Sequence, residues 1–138
     1  MTIQEIEAQI IDEFAQFDEW LDKYAYIIEL GRECPAIDEA DKTESNLIQG
    51  CQSRVWLSCR HEEGKLYFRA DSDAVITKGI ITLLIRVLDG QKPADILAAD
   101  LGFLDQIGLK EHLSPTRSNG LTAMVKQMKL YALAFSMK

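Results

Sequence analysis

Residues 55–70 read VWLSCRHEEGKLYFRA, and the alternation within this stretch decides what kind of fold the chain can adopt. Val55, Leu57 and Cys59 are spaced by Trp56, Ser58 and Arg60, the two-residue period of a strand with one buried face. Leu66, Phe68 and Ala70 then alternate with Tyr67 and Arg69. Between the two runs, HEEGK supplies a turn with its glycine, so the stretch predicts a β-hairpin. Cys59 falls on the apolar face and reads as core. Just upstream, Leu47 and Ile48 predict a third short strand that ends before Gly50.

Both flanks are helical. Thr2 followed by Glu5 has the form of a capping box, and Ile3, Ile6, Ile10, Phe14 and Phe17 recur at helical spacing. A second helix is predicted over Asp18–Leu30, with Trp20, Tyr24, Ile27 and Ile28 on one side and Gly31 as its stop. Residues 32–45 carry Pro35, five acidic residues and little periodicity, which marks a surface connection. After the hairpin, Asp71, Ser72 and Asp73 are all good helix caps. The helix they would open, through Val75, Ile80, Leu84 and Leu88 to Gly90, is apolar almost all round and should lie centrally. Short helices follow in PADILAAD and FLDQIG. Ser114 and Pro115 then open a long helix that runs to about Phe135. The order of two helices, a β-hairpin and then helices to the end, with neighbouring strands joined by the hairpin, predicts an α+β fold, a small antiparallel sheet of about three strands packed with helices. One domain over residues 1–138 is expected, without repeats or linkers.

Composition narrows the function. The 138 residues are 47% hydrophobic and 27% charged, which is ordinary for a globular chain. A net charge of −7 repels phosphate backbones and anionic lipids, so neither nucleic acid nor membrane is an expected partner. The N-terminus lacks the basic and apolar regions of a signal peptide, and the stretch GIITLLIRVL is too short to span a bilayer. A cytoplasmic monomer is expected. Cys34, Cys51 and Cys59 are an odd number with no CxxC pair, so free thiols are expected and not a disulfide framework. Only His61 and His112 stand beside them, and no metal site is expected.

Of the three thiols, Cys51 is placed unusually. It follows Gly50 in NLIQGCQSRVW, between apolar runs, with Gln52, Ser53 and Arg54 after it. The residues alone leave three readings open. It is a structural cysteine, a nucleophile served by His112 or His61, or a thiol that carries sulfur or exchanges with another thiol. The last asks only for an accessible thiolate and a partner sulfur to attack. Cys34 precedes Pro35 in a polar loop and carries no assigned role.

The segments YIIELG, NLIQGCQSRVW, DSDAVITKGII and HLSPTRSNGL together resemble the SufE family of sulfur-acceptor proteins, with its CsdE branch. The resemblance runs over nearly the whole chain and implies a fold akin to the IscU-type iron–sulfur scaffolds. It implies that Cys51 accepts persulfide sulfur from a pyridoxal-phosphate cysteine desulfurase, SufS-like or CsdA-like. The chain would stimulate that enzyme and pass the sulfur to a downstream scaffold or other acceptor for iron–sulfur cluster assembly. Pyridoxal phosphate would belong to the partner, and this chain would need no cofactor. Gln49, Gly50, Gln52, Ser53 and Arg54 become candidates for loop shape and partner contact. Asp73 matches the family's helix-opening acid and Arg117 the arginine of its HLSPTRSxG segment. The alternative kept beside it is a stand-alone hydrolase or transferase using Cys51 with His112. For a carrier, the resting Cys51 is expected to turn inward into a shallow apolar pocket walled by Leu47, Val55 and the central helix.

Overall fold

The hairpin forms where the alternation places it. In a computed structural model that describes residues 1–137, strand β1 spans Val55–Glu62 and strand β2 spans Lys65–Ser72. They pair antiparallel from Val55 opposite Ser72 to Glu62 opposite Lys65. Glu63 (φ 52°) and Gly64 (φ 79°) close the turn, the left-handed pair that matches strand twist in a two-residue hairpin. Val55, Leu57, Leu66, Phe68 and Ala70 point into the core, while Arg60 and Arg69 face solvent.

The sheet has two strands and not three. Leu47 makes only an isolated bridge to Trp56, and the Ile48 N–H donates to Val55 O at 2.8 Å. A 3-10 turn over Glu44–Asn46 ends just before Leu47, and Gly50 turns away at φ 95° just after Ile48. The segment between them is too short to continue the ladder. On the other edge, Ala36 bridges to Ala70 and Gln91 to Leu66. The acidic connection that precedes this segment is tied down across the sheet's outer face. Lys42 binds Asp71 at 2.6 Å and Glu39 at 2.9 Å, and its ammonium lies 5.6 Å from the Trp56 ring centre.

Seven helices complete the described chain. Helix α1 (Ile3–Phe14) starts with the expected capping box and ends before Phe17, whose ring instead packs on Tyr26. Helix α2 (Trp20–Gly31) follows it and ends at Gly31, which keeps a negative φ and is not a left-handed cap. Helix α3 (Val75–Leu88) is buried along most of its length and packs on α1, α2, β2 and α7. Short helices α4 (Pro93–Ala98), α5 (Phe103–Gln106) and α6 (Leu109–His112) lead to α7 (Pro115–Ser136). The Ser114 hydroxyl caps α7 by accepting from Arg117 N–H at 3.3 Å.

Helix α3 crosses α2 at Gly31, its last residue. A Cβ on Gly31 would stand 3.0 Å from Gly79 N, and one on Gly79 would stand 2.1 Å from the Ile27 carbonyl oxygen. Backbone meets backbone at this crossing; Gly79 has no room for a side chain, and one on Gly31 would be tight. The residue is selected by close approach, not by a left-handed turn.

Replacing Gly79 with alanine should therefore cost about 3 kcal/mol or more by overpacking. The gain expected from alanine in an ordinary helix interior is far smaller, about 1 kcal/mol. Thermal melting of the variant measures this directly, and an unchanged midpoint would show that the two helices are free to part.

Candidate functional site

The loop carrying Cys51 hangs between two anchors. At its start, Ile48 is buried and bonded to Val55 O. At its end, Asp73 grips the Arg54 backbone from both sides. The Asp73 carboxylate accepts from Arg54 N–H at 3.1 Å, and Asp73 N–H donates to Arg54 O at 3.2 Å. This corrects the expectation that Asp73 opens α3 as a cap. The helix begins at Val75 after Ala74, with no side-chain cap. Ser72 accepts instead from Ala74 N–H at 3.2 Å, and Asp71 binds Lys42 and Lys78. The three capping residues are diverted because β2 continues through Ser72, so their side chains serve the sheet and the cysteine loop.

Between the anchors, Gly50 takes a φ of 95° that side-chain-bearing residues rarely adopt, and an added Cβ would press on Ala123 at 3.3 Å. This turn sends Cys51 back toward the first turns of α7. Its Sγ lies 3.6 Å from Gly120 O, a weak S–H donation to a helix carbonyl. The thiol is half-buried and lines a cavity of about 380 Å³ between the loop, α3 and α7. Thr77 and Ile80 form the α3 wall, and Gly120 and Met124 the α7 wall. Leu47 and Val55, the expected walls, do not line it, because Val55 is turned fully into the core. The pocket is also more polar than expected, since Ser114, Thr116 and Arg117 close its mouth.

Burial raises the Cys51 pKa above its ordinary value, so the resting thiol is held protonated. Cys59 is pushed up further, to about 12, by burial and by the nearby Asp89 carboxylate. Cys34 is raised mainly by burial, and its Sγ lies 3.5 Å from Ala70 O. All three thiols are free. Cys51 alone shares a cavity with a cationic side chain and hydroxyls while no carboxylate lines it, among the described residues.

Of the candidates, Gln52, Ser53 and Arg117 line the cavity with Cys51, whereas Gln49 and Arg54 do not. Asp73 acts on the loop through the Arg54 backbone. Neither histidine lines the cavity. His112 stacks on Trp20 with ring centres 4.1 Å apart, and His61 contacts the Phe135 ring at 5.0 Å. No trio of His, Cys, Asp or Glu side chains converges on a metal-sized site among the described residues. No described helix is long and apolar enough to cross a membrane. The central helix does form one wall, as expected, though sequence reasoning did not single out its Thr77 and Ile80, and it missed Thr116, Gly120 and Met124. Only Gly120 left a signal, as a glycine inside a helix, which marks close approach of another group.

Comparison with known proteins gives three further observations. A family described as "SufE: Fe-S metabolism associated domain" matches residues 8–132. An uncharacterized SufE-like protein from Rhizobium meliloti (strain 1021) is 41% identical over 126 residues, 88% of this chain and 90% of its own. The solution structure of a hypothetical protein from Thermus thermophilus superimposes with a TM-score of 0.80, over 96% of this chain and 97% of that one. At 21% identity, that likeness concerns the fold alone.

Two outcomes follow from the anchored loop. Asp73→Ala should cost about 1–2 kcal/mol in stability and speed alkylation of Cys51, because the loop's far anchor is lost. The wild-type labelling rate should still be climbing above the pH where an unperturbed thiol levels off. A plateau at the ordinary thiol value would contradict the burial argument.

Proposed function

The chain belongs to the SufE family, and on that premise we propose that it is a sulfur acceptor whose Cys51 takes persulfide sulfur from a pyridoxal-phosphate cysteine desulfurase. The family places it in iron–sulfur metabolism. The observation that carries the finer reading is Cys51 itself, a half-buried thiol on a glycine turn, anchored at both loop ends and facing a cavity. A permanently exposed thiolate would be oxidised or capped, since oxidation follows thiolate character and exposure. A deeply buried one would never meet another protein's sulfur.

The transfer is an exchange between sulfurs. The Cys51 thiolate attacks the outer sulfur of the desulfurase persulfide, whose S–S bond breaks as a new one forms on Cys51. The enzyme's own cysteine leaves as a thiolate. A neighbouring thiol would discharge the carrier as a disulfide, and neither Cys34 nor Cys59 lines the Cys51 cavity. Docking must free the loop and raise the thiolate fraction, which accounts for a resting thiol that is held protonated. Sulfur then passes to a scaffold or other acceptor for cluster assembly. The alternative, a stand-alone enzyme with His112 as base, is not favoured, because the ring of His112 is occupied with Trp20.

Mixing the protein with a desulfurase and free cysteine should add about 32 Da per sulfur atom to the Cys51 peptide. Cys51→Ser should fold normally, gain no mass and fail to stimulate the desulfurase; full stimulation by this variant would end the proposal. Serine at Cys59 should keep transfer while losing about 1–2 kcal/mol of stability. Because the chain carries a net charge of −7, association should slow as salt rises, with a partner whose active-site mouth is positive. An on-rate that stays flat with salt would remove charge steering from this account.

A further inference from the structure

The charge around the thiol runs against the rest of the chain. None of the 22 acidic residues lines the Cys51 cavity, and its one charged lining side chain among the described residues is Arg117. Four of the six arginines, Arg32, Arg60, Arg69 and Arg86, sit in ion pairs. The Arg117 guanidinium has no carboxylate partner among the described residues. The larger cavity beside the hairpin, about 670 Å³, is different: Asp38, Asp41 and Asp89 there offset Arg60 and Arg69. The only charged side chain that lines the cysteine cavity among the described residues is thus a cation, although the protein as a whole is acidic. Hydroxyls of Ser53, Thr77, Ser114 and Thr116 add donors to it, and the positive end of the 22-residue helix α7 opens at its mouth. At about 380 Å³ it has room for a small molecule beside the thiol.

We infer that this cavity binds a small thiol bearing a carboxylate, and that such a thiol takes sulfur from Cys51 directly. The inference rests on the persulfide-carrier reading and names a class of acceptor for it. Arg117 would hold the carboxylate, through the bidentate geometry a guanidinium offers, leaving the ligand's sulfur free to meet Cys51 in the same cavity. The incoming thiolate attacks the outer sulfur of the Cys51 persulfide. One S–S bond breaks, one forms on the small molecule, and Cys51 leaves as a thiolate. No external oxidant or reductant is consumed. The burial that keeps Cys51 protonated lets it take up the proton that the incoming thiol released. A neutral thiol of the same size has the same chemistry and no hold on Arg117.

The test loads Cys51 without a desulfurase. A mixed disulfide with thionitrobenzoate is displaced by sulfide, and the gain of about 32 Da is mapped to the Cys51 peptide. Discharge is then followed with mercaptopropionate, which is anionic, and mercaptoethanol, which is neutral, at equal thiolate concentration. Mercaptopropionate should discharge with saturation and about tenfold faster, the effect of one charge-assisted hydrogen bond. With Arg117→Ala the two thiols should discharge at the same rate as each other, and Arg117→Lys should keep part of the preference. Equal, unsaturable rates for the two thiols, or a preference that survives Arg117→Ala, would overturn the inference. Because loading is chemical, such a failure counts against the small-thiol site alone; sulfur acceptance from a desulfurase is decided by the separate mass measurement.

Discussion

The contact between Gly79 and the Ile27 carbonyl sets the frame for everything else. It lets α2 and α3 approach until their backbones touch, which no residue with a side chain would permit. Helix α3 is thereby held at the centre of the molecule, with Ile81, Leu83, Leu84 and Leu88 all fully buried. Two features of the site depend on that placement. Thr77 and Ile80 become the inner wall of the cysteine cavity, and the segment leading into α3 delivers Asp73 to the loop.

The loop itself is a compromise between shelter and reach. Its apolar beginning is committed to the core through Ile48, and its end is held by a carboxylate bonded to the Arg54 backbone. What lies between is short, turns on Gly50 and rests against α7 through a weak sulfur contact. Weak contacts at the thiol and stronger ones at the anchors leave the tip as the part that yields first. The absence of a cap at the start of α3 belongs to the same arrangement. A side-chain cap is worth about 1 kcal/mol to a helix. Here α3 is supported by burial along its length, so its acidic neighbours are available to the strand and the loop.

Much of this was legible along the chain. The strand period of residues 55–70, the box at Thr2 and Glu5, and the Ser114-Pro115 start of α7 are local signals, and each formed where it stood. Other readings failed because a local signal has more than one structural use. Gly31 does end its helix, but the close crossing of α3 and not a left-handed turn is what the glycine serves. Leu47 and Ile48 have strand character, yet a two-residue segment between a 3-10 turn and a glycine turn makes one bridge and no ladder. Asp71, Ser72 and Asp73 have capping chemistry, and the extension of β2 put them to other work.

By itself, then, the sequence determined the α+β class, the order of its elements and the singling out of Cys51, because periodicity, turn chemistry and motif are properties of neighbouring residues. Tertiary structure alone decided the cavity. Its walls come from residues 51–53, 77–80 and 114–124, which no periodicity connects and which meet only when α3 and α7 pack across the loop. It also decided the charge of that cavity. A chain acidic by seven charges lines the cysteine cavity with one arginine and no carboxylate among the described residues, and a sum over composition cannot contain that distribution.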